Sequence, residues 1–248
     1  MISPPILLTS SVIAMDSTVL LKDKSSRIFH TLESLKRWGD IAPNSKFVLC
    51  DGSGYDFTSV INEEFPNLRV ECLSFLNDEK LVKARGKGFG EGEIIRYALA
   101  HSQYLQESEW FAKCTAKLWV DNFQACLQEW NGRFLCKAYF SDVFSFKKTS
   151  LKYIDTRFYL VGKSFYEANF AGVHKNLEID SGEGIEEKFL DVATKKKMKK
   201  FLFKNFPIVS GVGGGSGRYY NTSIIRRIKE VFRSKLVRLS SNYQALFN

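Results

Sequence analysis

Lys46-Phe47-Val48-Leu49-Cys50-Asp51-Gly52-Ser53-Gly54 reads as a strand buried on both faces and closed by turn residues. The same alternation extends on either side. Upstream, Ile28, Leu32, Leu35 and Trp38 recur at helical spacing while Arg27, Lys36 and Arg37 stay polar, and Ile6-Leu7-Leu8-Thr9 is a short buried strand. Downstream come a short helix around Val60–Glu64, a strand Leu68–Leu73, and a glycine-rich loop Arg85-Gly86-Lys87-Gly88-Phe89-Gly90. A helix carrying Ile94, Ile95, Ala98 and Leu99 follows, then a strand Trp110–Cys114. This β-α-β-α-β-α-β order predicts an α/β fold, a mostly parallel central sheet with helices on both faces. Such sheets bind ligands outside the carboxyl ends of their strands. That points to Ser10-Ser11, Asp51–Gly54, the loop around Arg85, and Thr115–Lys117.

The second half is less regular. Phe134–Phe140 and Arg157–Val161 read as strands, and Glu183–Val192 as a short helix. Lys195–Lys200 is a basic run and Gly211–Gly217 a glycine-rich loop. From about Thr222 to Leu239 runs an amphipathic helix, with Ile224, Ile225, Ile228, Val231 and Phe232 on one side and Arg226, Arg227, Lys229, Arg233 and Lys235 largely on another. There is no internal repeat, and no linker forces a second domain.

Composition narrows the class. The 248 residues are 44% hydrophobic and 25% charged, which argues against a disordered chain, coiled coil or collagen. Aromatic residues are 14%, with 21 Phe, suiting a β-rich core or a pocket that stacks planar groups. A net charge of +9 favours anionic partners. No apolar run approaches the roughly 18 residues of a membrane span. No basic residue precedes the apolar segment Ile6–Met15, so no secretory leader is expected. Five cysteines without a C-x-x-C pair, and three histidines, predict reduced core thiols rather than a zinc knuckle or disulfide scaffold.

Five segments could carry chemistry. Arg85–Gly92 has glycines at 86, 88, 90 and 92 beside Arg85 and Lys87, and precedes a helix whose N-terminus suits phosphate. It meets neither the G-x-G-x-x-G nor the P-loop spacing, and a tight surface turn is the alternative. Thr115 and Lys117 end the fourth strand, where one can hydrogen-bond and the other neutralise phosphate, or where both simply edge the sheet. Asp155 and Arg157 share a strand face, either to orient a sugar and a phosphate or to pair with each other. Glu178, Asp180, Glu183, Glu186 and Glu187 form an acidic cluster, either a solvated helix start or the source of a general base. Gly211–Tyr219 is either a loop closing over a ligand, with Arg218 reaching a diphosphate, or a plain linker.

Taken in order, these segments resemble the small bacterial glycosyltransferases of O-antigen and capsule gene clusters. The resemblance runs through Ile6–Ser10, Leu35–Trp38, Phe47–Ser53, Gly88–Gly92, Phe111–Leu118, Asp155–Tyr159, Gly184-Ile185-Glu186 and Gly211–Tyr220. It implies a GT-A-like catalytic domain over residues 1–220, with a nucleotide-sugar half to about 120 and an acceptor half beyond, followed by the basic tail helix at 221–248. It implies hexosyl transfer from a nucleotide sugar, expected to be UDP-linked, to a lipid-linked or surface-polysaccharide acceptor in lipopolysaccharide or capsule synthesis. Glu186, with Asp180 second, is the expected base of an inverting reaction. Ser10, Asp51, Arg85, Lys87, Thr115, Lys117, Asp155, Arg157 and Arg218 are expected on the donor. GT-A enzymes often hold a divalent cation with Asp-x-Asp. This chain has none and places Thr115-Ala116-Lys117 there, so no cofactor is expected. The tail helix suits the anionic inner face of a bacterial plasma membrane, which predicts a cytoplasmic, peripheral enzyme. A basic nucleic-acid-binding protein without activity is the alternative; it lacks any reader motif.

Overall fold

The computed structural model describes residues 3–16, 18–145, 147–178, 182–220 and 224–247. Four parallel strands form the heart of the molecule: β1 (Ile6–Ser10), β2 (Lys46–Asp51), β3 (Arg69–Ser74) and β4 (Trp110–Thr115). A three-residue strand, β5 (Leu118–Val120), follows β4, and the antiparallel pair β6 (Phe134–Ser141) and β7 (Ser150–Gly162) extends the sheet, giving the order β3-β2-β1-β4-β7-β6. The parallel strands are in register from Ile6 opposite Phe47 and Ala112 onward. Strand order reverses between β1 and β4, which opens a crevice at their carboxyl ends.

Alternate β1 side chains explain the helical layers. Ile6 and Leu8 pack with Leu35 and Trp38 of α1 (Lys24–Ile41) and Ile61 of α2 (Thr58–Glu64). Leu7 faces the opposite layer, with Val82 of α3 (Glu79–Arg85) and Ile94, Ile95 and Ala98 of α4 (Lys87–His101). Short helices α5 (Gln103–Gln106), α6 (Phe123–Gln128) and α7 (Lys163–Asn169) join the later strands. Helix α8 (Ile185–Lys195) places Phe189 on the same core.

The glycine-rich segment differs from its sequence reading. Arg85 ends α3, Gly86 turns the chain at φ +80°, and the remaining glycines lie inside α4. They serve helix packing. A Cβ on Gly88 would meet Leu177 and Ile185 at 3.0–3.1 Å, and one on Gly92 would stand 2.1 Å from the buried His174 ring. The Gly211–Gly217 segment is not a linker either. It is the turn of a hairpin between β8 (Val209–Val212) and β9 (Tyr219–Tyr220), which pairs with β5 as a second, three-stranded sheet. Ser34 Oγ and Trp38 Nε1 of α1 both donate to the Leu118 carbonyl, at 2.7 and 3.0 Å, and tie β5 to the main body.

Helix α9 (Ile224–Leu239) docks by a polar edge. Lys137 of β6 donates to Glu230 at 2.6 Å, Ser234 donates to the Lys204 carbonyl at 3.2 Å, and Val237 is buried. Ile228, Val231, Phe232, Leu236 and Leu239 remain 44–83% exposed. The helix therefore turns its apolar stripe outward, the reverse of ordinary core packing.

Candidate active site

A cavity of about 800 Å³ occupies the crevice at the ends of β1 and β4, a size ordinary for a small-molecule site. Its floor is an ion pair between a buried lysine and a half-buried glutamate. Lys113, in the middle of β4 and fully buried, pairs with Glu91 of α4 and donates to the Thr156 carbonyl at 2.8 Å. Thr9 and Thr115 add hydroxyl hydrogen bonds to the same Glu91 oxygen, at 3.0 and 3.3 Å. These residues meet because β1 and β4 pair with Thr9 opposite Thr115, and because 113 and 115 share a strand face.

Beside this floor lies a pair of buried cations. Lys117 follows β4 and is 2% exposed, yet its ammonium makes no hydrogen bond among the described residues. Its neighbour Arg27 of α1, also buried, is pinned by the carbonyls of Ser11 and Leu21, both at 2.7 Å. Burial, reinforced by Arg27 and opposed by Asp51 and Glu91, pushes the Lys117 pKa down to about 7. The β8–β9 turn closes over the cations: a Cβ on Gly214 would stand 2.8 Å from Lys117 Cε, and one on Gly215 3.0 Å from Lys87 Nζ. Glycine at these positions lets the backbone approach that closely.

The opposite wall carries Glu186, in the first turn of α8, half-buried and lining the cavity. Burial raises its pKa, with Glu91 adding to the rise and Lys87 opposing it. Asp155 and Arg157 of β7 form a forked pair, Nε to Oδ1 at 2.8 Å and Nη2 to Oδ2 at 2.5 Å, and the guanidinium lies 4.9 Å from the Tyr220 ring centroid. Burial opposes ionisation of Asp155, but Arg157 outweighs it and holds the carboxyl below its ordinary range. Tyr139 and Tyr153 stack at 5.1 Å on the rim.

Of the residues expected on the donor, Ser10, Arg85, Lys87, Thr115, Lys117, Asp155 and Arg157 line this cavity, as does Glu186. Arg85 is partly committed, donating to the Lys175 carbonyl at 2.7 Å. Two of the expected residues fall outside the cavity lining. Asp51 is fully buried and does not line the cavity; it accepts from Val12 N at 2.9 Å and from Ser53 N and Oγ at 2.8 and 2.6 Å, bracing the turn after β2. Arg218 sits exposed on the hairpin away from the cavity, because the turn presents backbone and Ser216 to it instead. Asp180 lies outside the described residues. The sequence reading passed over Arg27, Glu91, Lys113 and Lys137. Lys113 carried a signal, since a lysine in the otherwise apolar run Trp110–Cys114 requires a buried partner.

The groups at the end of β4 do not suit a divalent cation, which takes carboxylate or carbonyl oxygens rather than ammonium and guanidinium. Among the described residues no cluster of three or more His, Cys, Asp or Glu could hold a metal ion.

No protein-family model and no curated protein sequence matches the chain. Among solved structures, it is similar to the galactosyltransferase LgtC in complex with donor and acceptor sugar analogues, at 8% identity and a TM-score of 0.50, over 76% of this chain and 69% of that one. The chain has a GT-A-like fold. The glycosyltransferase GlyE of Streptococcus pneumoniae TIGR4 aligns at 12% identity and a TM-score of 0.44, over 83% of this chain and 46% of that one.

The Lys117 environment gives a pH dependence. An anion bound beside it stabilises the charged form and raises its pKa in the complex, so binding above the free value requires proton uptake. Affinity for UDP is expected to be level below about pH 7 and to weaken by up to about tenfold per pH unit above it. Calorimetry at pH 8 in buffers of different ionisation enthalpy should show close to one proton taken up; no uptake would mean that Lys117 does not meet the ligand.

Proposed function

We propose that this chain is a glycosyltransferase that moves a hexose from a nucleotide sugar, UDP-linked, to a saccharide acceptor. The observation that carries the reading is the desolvated pair Lys117 and Arg27 opening on the cavity at the switch point of a GT-A-like sheet. Two buried cations at the cavity wall suit a diphosphate, and Lys87 stands under the same glycine turn.

In the proposed reaction Glu186 takes the proton of an acceptor hydroxyl as its oxygen attacks the anomeric carbon. The bond from that carbon to the diphosphate oxygen breaks, and the electron pair leaves on the diphosphate, held by Lys117, Arg27 and Lys87. The raised pKa of Glu186 makes it a stronger base than an exposed carboxylate. An attack opposite the leaving group inverts the anomeric centre. The cations do the charge neutralisation that a metal ion supplies elsewhere, so the reaction is proposed to need none. Asp155 and Arg157 are proposed at the donor's edge, and the Tyr139–Tyr153 stack as a platform for acceptor sugar rings.

A thermal-shift panel of UDP, UDP-sugars and an oligonucleotide tests the class. Stabilisation by UDP and UDP-sugars is expected; stabilisation by the oligonucleotide alone would return the chain to nucleic-acid binding. Glu186→Gln is expected to keep the UDP shift and lower turnover by roughly a hundredfold or more.

The acceptor is proposed to be lipid-linked, as in O-antigen or capsule assembly, with the enzyme peripheral on the inner face of a bacterial plasma membrane. Helix α9 supports this: its exposed apolar stripe is flanked by exposed Lys229 and Lys235. Among the described residues no helix is long and apolar enough to cross a membrane. Each basic residue near an anionic surface adds on the order of 1 kcal/mol. Binding to phosphatidylglycerol vesicles should fall with salt and drop tenfold or more in Phe232→Glu/Leu236→Glu, with UDP binding kept. Equal binding by that variant would remove the helix from membrane contact.

A further inference from the structure

We propose that Glu91 is a sugar-binding carboxylate, whose Oε2 accepts hydrogen bonds from hydroxyls of the hexose being transferred, and that Lys113 is a positioning residue that holds it there. The inference rests on reading the cavity as a sugar-nucleotide site. All the contacts that Glu91 makes fall on one oxygen: Lys113, Thr9 and Thr115 converge on Oε1. A carboxylate offers about four acceptor positions, and Oε2 has no partner among the described residues and is not buried, so its lone pairs open on the cavity.

The position fits the ligand. Glu91 is close enough to influence both Lys117 and Glu186. A sugar between a leaving diphosphate at Lys117 and an attacking hydroxyl at Glu186 would lie over the same floor. Packing alone does not account for the ion pair. A methionine at position 113 would fill a similar volume without the desolvation cost of a fully buried ammonium. What the lysine adds is a carboxylate clamped by three donors, from β1 and β4, with one free edge. Rigid, charge-assisted acceptors of this kind discriminate hydroxyl groups strongly, because an unmatched ligand leaves them desolvated and unpaired.

The test separates the sugar from the nucleotide. Affinities of UDP, UDP-glucose, UDP-galactose and UDP-N-acetylglucosamine are measured by calorimetry, and the gain of the best UDP-sugar over UDP is the readout. Lys113→Met is expected to lose part of that gain, about threefold, since Glu91 is still present but is held by Thr9 and Thr115 alone. Lys113→Met/Glu91→Gln, which removes both charges, is expected to cut it about tenfold while UDP affinity changes less than threefold. Equal gains in the two variants, or loss of the whole gain in Lys113→Met alone, would make Glu91 merely the counter-ion of Lys113 and overturn the proposal. If the double variant does not fold, Glu91→Asp keeps the charge but draws the carboxylate back from the cavity, and an unchanged gain there overturns it equally. A native protein that binds neither UDP nor any UDP-sugar would instead bring down the glycosyltransferase reading, and this inference with it.

Discussion

A lysine side chain almost wholly removed from water beside a second cation is held at an electrostatic cost, and the geometry around Lys117 depends on keeping it there. The residue lies in the two-residue step between β4 and β5, and its carbonyl accepts from Val212 N at 3.0 Å, which fixes where its backbone sits. The carbonyls of Ser11 and Leu21 hold Arg27 beside it, so one of the two cations is fixed. The β8–β9 turn lies close over them at Gly214, where a side chain would displace the Lys117 ammonium. The site therefore stores unfavourable electrostatic free energy that a doubly charged anion would relieve on binding.

The second charge system has the opposite character. Lys113 and Glu91 are matched, hydrogen-bonded and set into the floor, so they contribute order rather than attraction. The cation region and the ion pair lie a few residues apart along the chain, so the proposed diphosphate and sugar positions adjoin. Glu186, raised by burial and by the negative charge of Glu91, marks the side from which a proton acceptor can act. Helix α9 closes this wall through Glu230 and Lys137, so the surface with the exposed apolar stripe is joined directly to the cavity.

The parallel strands and their helices were legible because strands buried on both faces read as apolar runs, and α1 and α4 as helical periodicity. Helix α3 was not, since Glu79–Arg85 buries only Val82 and carries little pattern. The β5-β8-β9 sheet escaped because its strands are only two to four residues long. Glycines 88, 90 and 92 looked like a ligand loop; composition does not distinguish backbone approach to a ligand from close packing of one helix on another. Asp51 followed a strand as donor ligands do, but the Ser53 and Val12 amides claimed it. The tail helix was legible as amphipathic, while the side it would dock depended on Lys137 and Lys204, far away in sequence.

The central claim is that cations built into the end of β4 hold the donor diphosphate where carboxylates and a metal ion would otherwise stand. Titration of UDP into the protein in excess chelator, repeated with manganese and with Lys117→Met, tests it most directly. The account predicts the same affinity with and without the metal, and a loss of at least about tenfold in the lysine variant. Binding that appears only when manganese is added, and that survives the loss of Lys117, would contradict it.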